Sequence, residues 1–541
     1  MRNKIVSVVL VVAVIFSFAL TGCSNKTESQ EENPANSSQN EDANVESDSN
    51  TPQDGGMLTV ALAAVPKTLD PVKYTGIYEG NVIHSVCDNL VYYNKDLNEI
   101  IPGLATEWKI SDDLMQYSFK LRDDVYFQKG KYQDGRKMTA EDVKYSLERS
   151  AKESVMKRLR MLDHVEVISD TEIVAHLNEP NAAFLTVLTD SGNVIVPKEE
   201  VEGWGDDFGR NLVGTGPFAF KEWRKGDCVI LEKSDNYWGE EPNLDGVTFK
   251  FINDVNMMTN ALRTGEIDVA TDLQGESIAA IKKIDNLVLN EKPALKVIYM
   301  SMDLDNGPTK DERVRMAILS AIDVDAMVKG LYPYGEAQRA YLSLPPGSWG
   351  YDESLEALIP KYDPEKAKEL MKEAGYEDGF EIDFYVSGSD KAGVIIQSYL
   401  KENLNIDVNI NLLEWGTFSE TVSKGEAPLY SMSWTWYPDP DFFLYQMFHS
   451  DQIGSLGNGQ GYNNPEVDQL LDKAVSETAD QQARAELYKK ALKIITENYG
   501  RLNFANGKII DAYSDKVHGF ERGADGSIFI VNPEVNVWMQ K

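Results

Sequence analysis

From Ser24 to Gly56 the chain has almost no large apolar side chain, so whatever folds must begin near Met57. The stretch is built from Ser, Asn, Gln, Glu and Asp, and Lys26 is its single basic residue. Such a segment buries too little apolar surface to offset the entropy of ordering its backbone. Its like charges repel along the chain and extend it. The reading is a disordered acidic tether whose use is reach.

Before the tether, Arg2 and Lys4 precede a run of apolar and small residues from Ile5 to Ala19, and then Leu20-Thr21-Gly22-Cys23. A positive flank, a short apolar run and small residues before a cut mark an export signal over residues 1–22. The run is shorter than the ~20 residues that cross a bilayer as a helix. Leu-Thr-Gly-Cys resembles the bacterial lipobox. That resemblance implies a diacylglycerol on the Cys23 sulfur, cleavage on its N-terminal side, and attachment to the extracytoplasmic face of the cell membrane. Several acyl chains on one residue hold firmly where one alone is marginal. Residues 23–56 are then the lipidated cysteine and its tether.

The chain has 541 residues, 42% hydrophobic and 26% charged, enough for a large core. At roughly 150 residues per domain this allows three or so lobes. A net charge of −34 argues against nucleic acid, since a polyanion would be repelled. Three cysteines in so long a chain make no disulfide framework, and Cys87 and Cys228 read as buried thiols. Leu58 to Leu62 reads as a first strand, and Tyr117 to Leu121 alternates like a half-buried one. Thr139 with Asp142 predicts a capping box at a helix start. Asp363-Pro364 opens a helix that Gly375 stops, and Asn464-Pro465 opens another with Val467, Leu470, Leu471 and Ala474 on one face. Strands and helices mix without a repeat, which makes the body α/β.

Nothing in the pattern points to an enzyme. The histidines (His84, His164, His176, His449 and His518) fall in no metal-ligand spacing, and there is no zinc-protease, redox or nucleophile-elbow motif. Gly214-Thr215-Gly216 lacks the Lys-Ser/Thr of a phosphate loop, and Gly457 to Gly461 reads as a flexible turn. No cofactor or metal is called for.

From Met57 onward several segments occur in a telling order. They are Leu69-Asp70-Pro71, Leu104-Ala105-Thr106-Glu107-Trp108, Phe119 to Phe127, and Thr139-Ala140-Glu141-Asp142-Val143 leading into Ser146-Leu147-Glu148-Arg149. Gly214 to Phe218, Asn236-Tyr237-Trp238, Gly265 to Val269, Arg313 to Ile318 and Ala321-Ile322-Asp323 follow. Together they resemble the extracellular solute-binding proteins of the oligopeptide/dipeptide/nickel family (family 5) that serve ABC importers. Trp108, Phe119, Tyr126 and Trp238 within them read as core rather than ligand contacts. The resemblance implies a two-lobed periplasmic-binding-protein clamp, type II in its large cluster C form, with an extra N-terminal subdomain. Transferred to this chain, lobe I comprises 57–89, 211–300 and 500–541, the extra subdomain 90–210 and lobe II 301–499. The implied partners are a peptide or other small-molecule ligand, captured as the lobes close, and a membrane permease complex. A monomer with no nucleic-acid partner is expected.

Within the family, a cleft loop carries a Trp followed by Ala-Asp-Tyr-Pro-Asp-Pro, and in peptide-binding members that first Asp pairs with the ligand's α-ammonium. Here the segment is Trp434-Thr435-Trp436-Tyr437-Pro438-Asp439-Pro440-Asp441, and Trp436 stands in the place of the acid. Three readings stay open. Asp439, Asp441 or Glu414 could take the ammonium. The ligand could lack one, as an oligosaccharide stacked on Trp434 or Trp436 or a metal chelate does. Both tryptophans could instead be partly core, with Asp439-Pro440 a turn. The other expected wall runs from Lys73 to Tyr78, where the resemblance places Thr75 and Ile77 along the ligand backbone, with Tyr78 as a further donor. A surface interaction protein without solute binding is a third possibility for the chain.

Overall fold

The computed structural model describes residues 51–541 except Ser389, Asp390 and Trp436. Cys23, the export signal and most of the tether therefore lie outside the described residues. The last tether residues are already tied down: the Gly55 N–H donates to the Asn243 carbonyl at 2.6 Å and the Gly56 N–H to Asp245 Oδ2 at 2.8 Å.

Local chemistry sets the elements. The strand Met57–Leu62 buries Leu58, Val60 and Leu62. Gln116–Leu121 alternates exposed and buried along its whole length, as a strand with one wet face must. The helix Ala140–Glu153 starts on the expected capping box, with the Thr139 N–H donating to Asp142 Oδ2 at 2.9 Å. Asp363 accepts from the Lys366 N–H to open Pro364–Glu373. Asn464 accepts from the Glu466 and Val467 N–H groups to open Pro465–Ser476, whose buried side carries Val467, Leu471 and Ala474. Each cap satisfies donors the first turn leaves unpaired.

One large sheet runs through the molecule. In order, its strands are Asp407–Leu413, Glu381–Ser387, Leu429–Thr435, Leu287–Met302, Arg501–Ser514, Val269–Ala270, Met57–Leu62, Gly246–Phe251, Cys228–Lys233 and Phe218–Arg224. The short strand Ala337–Arg339 also pairs with Arg501–Ser514. The two long central strands are antiparallel, and their register breaks between Pro293 and Val297. Beyond the break, Lys296 to Met302 pairs with Leu429–Thr435. At the opposite end, Ala512 and Tyr513 pair with Val269–Ala270. These two strands therefore carry the chain between two half-sheets, each with its own core. One core centres on Leu58, Val60, Phe218 and Phe249, the other on Met300, Ile318, Phe384 and Leu400.

A separate antiparallel sheet joins Ala105–Ile110, Gln116–Leu121, Glu172–Leu177 and Leu162–Ser169 in that order. With the helix Ala140–Glu153 it encloses a third core that contains Phe119, Phe127 and Phe184. Phe119 is buried there and Trp108 and Trp238 are packed against it, but Tyr126 is exposed. Tyr126 lies in a bridge to Lys137 outside the sheet, where one face meets water. The glycine-rich stretch 457–461 is likewise no loose turn. Asn458 and Gln460 are buried, and Gln460 Oε1 accepts from Ser301 at 2.6 Å and from Tyr430 at 3.1 Å. Cys87 and Cys228 are buried, unpaired thiols.

Candidate functional site

A cavity of about 1230 Å³ lies where the two half-sheets meet. The crossing strands contribute Lys296, Ile298, Phe504 and Lys508 to its lining. One wall is the loop before the helix Ile77–Val86. Asp70 fixes this loop: its carboxylate accepts from the Val72 N–H at 3.3 Å and from Arg149 of the helix Ala140–Glu153 at 2.9 Å. So held, the loop presents Thr75 to the cavity and the helix start presents Ile77, both exposed. Tyr78 is turned aside from the lining and donates to Asp272 Oδ2 at 3.4 Å. Burial, with the Asp272 charge behind it, pushes the Tyr78 phenol up to about 12.

A buried polar cluster forms part of the lining. Tyr74 donates to Asp190 Oδ1 at 2.6 Å, and Arg158 is ion-paired with the same carboxylate. Arg158 also donates to the Tyr74 and Tyr437 hydroxyls, each at 2.6 Å, and Tyr437 in turn donates to Asp190. Burial holds both phenols above their usual range, with Arg158 opposing it. Four side chains from widely separated segments thus share one matched charge pair, and the expected site residue Tyr437 is the member from the cleft loop.

The rest of that loop faces elsewhere. Asp439 is 1% exposed and outside the cavity lining. Arg484 grips it through two bonds of 2.9 and 3.0 Å, a bidentate pair in which each carboxylate oxygen has its own donor. Trp434 is half-buried on the strand Leu429–Thr435, with its indole N–H donating to the Phe442 carbonyl at 3.1 Å. It packs on the core around Phe443 and Tyr430, and Thr435 beside it faces the cavity instead. Trp436 is outside the described residues. Asp441 accepts from Tyr488 at 3.3 Å, and burial together with Asp439 pushes its carboxyl up to about 7. Glu414 is exposed and caps the helix Trp415–Ser423 by accepting from the Gly416 N–H. Of the expected residues, the cavity therefore brings together Thr75, Ile77 and Tyr437.

A further part of the lining is a turn near the C-terminus that sequence reasoning did not single out. Arg522 is buried and donates to Asp272 at 2.8 Å, to Asp511 at 2.9 Å and to the Gly526 carbonyl at 3.0 Å. Gly526 has φ +93°, and a Cβ there would meet Ile77 at 3.4 Å, so the turn seats directly against the first wall. His84 and Phe529 stack at 5.4 Å beside it, and burial holds His84 down to about 4, a neutral ring at pH 7. Among the described residues no group of three or more His, Cys, Asp and Glu is placed to hold a metal ion, and no helix is long and apolar enough to cross a membrane.

Comparison with known proteins agrees with this geometry. The structure matches the ABC transporter-associated periplasmic binding protein DppA of Helicobacter pylori in complex with the peptide STSA. The TM-score is 0.75 and the identity 31%, covering 90% of this chain and 99% of that one. It also matches the oligopeptide-binding protein AppA of Bacillus subtilis in complex with a nonapeptide, with TM-score 0.72 and 25% identity over 91% of this chain and 100% of that one. In sequence, it is 28% identical over 506 residues to the dipeptide-binding protein of Escherichia coli, covering 86% of this chain and 94% of that protein. These likenesses make the fold a two-lobed clamp of the periplasmic-binding-protein kind. A profile described as "Bacterial extracellular solute-binding proteins, family 5 Middle" matches residues 99–455, and the chain belongs to the bacterial extracellular solute-binding proteins of family 5.

Proposed function

We propose that this protein captures peptides in the cleft and delivers them to the permease of an ABC importer, anchored outside the cell membrane by lipid on Cys23. The observation that carries this reading is the cleft itself. Its volume of about 1230 Å³ exceeds the ~300–1,000 Å³ usual for a compact small-molecule site. It lies against the exposed residues Thr75 and Ile77, which suits an extended main chain held largely through its backbone. Relatives that match about nine-tenths of this chain are described with a peptide in place.

Capture needs the solute to favour the closed arrangement over the open one. Tyr437 is positioned for that: it belongs to lobe II in the proposed division and reaches Arg158 and Asp190 of the extra subdomain. The crossings near Met300 and before Asn503 would be the hinge. The acidic tether lets a monomeric body search the membrane surface for its permease. The role is binding and hand-over rather than bond-making.

Melting the full chain with a casein hydrolysate tests this reading. A peptide present at a hundred times its dissociation constant should stabilise the protein by about 2.7 kcal/mol. A shift with mixed oligosaccharides or metal chelates, and none with peptides, would move the assignment to another solute.

A further inference from the structure

The charges of the cleft, taken with peptide capture as the reading it rests on, point to how the ends of the ligand are recognised. Most charged residues of the lining already have partners. Arg158 is matched with Asp190, Arg522 with Asp272 and Asp511, and Lys508 with Glu291 at 3.5 Å. The Glu336 carboxylate accepts from the Gly275 N–H at 3.0 Å and the Tyr334 N–H at 3.1 Å. Glu276 and Lys391 are exposed to water, where screening leaves a single charge little influence. Lys296 and Asp525 remain, both half-buried in the lining and neither with an ion-pair partner among the described residues.

Both are built in rather than loose. The Asp525 oxygens accept from the Ser527 N–H at 3.0 Å and the Ser527 hydroxyl at 2.9 Å, which orients the carboxylate and leaves further lone pairs for a donor. The turn that carries it packs on Ile77 through Gly526. Its charge is felt at Tyr437 in the same lining. Burial is the main cause that raises the Tyr437 phenol, and Asp525 adds to it. Lys296 stands on the crossing strand at the register break. Burial lowers its hold on its proton, with Asp272 opposing, as befits an ammonium short of a counter-ion. A 2.7 Å bond from the Leu295 N–H to the Ala524 carbonyl places these two charges next to the same backbone link. A buried ammonium or carboxylate needs an opposite charge to offset its lost hydration, and the cleft offers one of each sign.

We propose that Asp525 and Lys296 recognise the two ends of a zwitterionic peptide, the α-ammonium lying against the Asp525 carboxylate and the α-carboxylate against the Lys296 ammonium.

The test uses one casein hydrolysate in three forms: untreated, N-acetylated and methyl-esterified. Binding to the full chain is followed by competition and by mass spectrometry of the retained peptides. Acetylation and esterification should each weaken binding to the unaltered protein by about tenfold or more. Asp525→Asn, which keeps an oxygen for Ser527, should lose a similar factor for untreated peptides and cease to discriminate against acetylated ones. Lys296→Met, which keeps the apolar stem, should do the same for esterified ones. If both variants melt like the unaltered protein, bind untreated peptides as tightly and still discriminate, the ends are recognised elsewhere and the proposal falls while peptide capture stands. Should a variant fail to fold, equal binding of all three forms by the unaltered protein overturns the proposal by itself. Retention of no peptide in any form overturns peptide capture, and this proposal with it.

Discussion

Replacing Arg484 with methionine is expected to remove about 3–5 kcal/mol of folding stability. Arg484 and Asp439 are both buried and joined by two bonds of 2.9 and 3.0 Å. Arg484 also donates to the Ala474 carbonyl at 2.8 Å, in the last turns of the helix Pro465–Ser476, and lies over the Trp349 and Tyr488 rings. Without it, the Asp439 carboxylate is left buried with no cation beside it, next to Asp441, whose carboxyl it already raises. The cost arises from the stranded acid more than from the lost pair. Removing both, in Asp439→Leu with Arg484→Met, should therefore recover much of the loss. Denaturant melts of the single and double variants measure this. A loss under about 1 kcal/mol for Arg484→Met, the range of exposed pairs, would show that Asp439 is not held as described and would return it to the list of ligand partners.

Arg158→Met is expected to weaken ligand binding by about a hundredfold, and Tyr437→Phe by about tenfold. Arg158 is ion-paired with Asp190 and donates to both phenols, which belong to segments far apart along the chain. A hydrogen bond to a charged group contributes about 1.5–3 kcal/mol. Losing the guanidinium removes several such bonds and leaves Asp190 buried without its cation. Tyr437→Phe is the finer probe because it deletes one hydroxyl and keeps the ring against Phe442 at 4.8 Å. If the contact forms on closure, titration calorimetry will show weaker binding while the ligand-free melting temperature scarcely moves. Unchanged affinity in both variants would remove the cluster from any part in closing the cleft.

How much could be read beforehand follows from the range of each interaction. The caps at Thr139, Asp363 and Asn464 are settled within four residues, and the alternation of Gln116–Leu121 within six, so both were legible. The strand Arg501–Ser514 was not, because nearly all of it is buried and no alternation marks it. The partners of the cleft lie far apart along the chain: Tyr74 and Asp190 are separated by 116 residues, Asp272 and Arg522 by 250, and Arg158 and Tyr437 by 279. No spacing rule reaches across such gaps. The loop motif located Tyr437 but did not show that Asp439, two residues on, turns inward to Arg484. Likewise the glycines of 457–461 concealed Asn458 and Gln460, whose buried hydrogen bonds make that stretch rigid.

Native mass spectrometry of the full chain, freshly purified and then exchanged against casein hydrolysate, tests peptide capture in the cleft most directly. The predicted result is a set of bound masses separated by amino-acid residue increments, lost together in Arg158→Met and retained in a variant altered outside the cleft, such as Tyr126→Ser. Bound masses separated by hexose increments, or a cleft that no peptide fills, would contradict it.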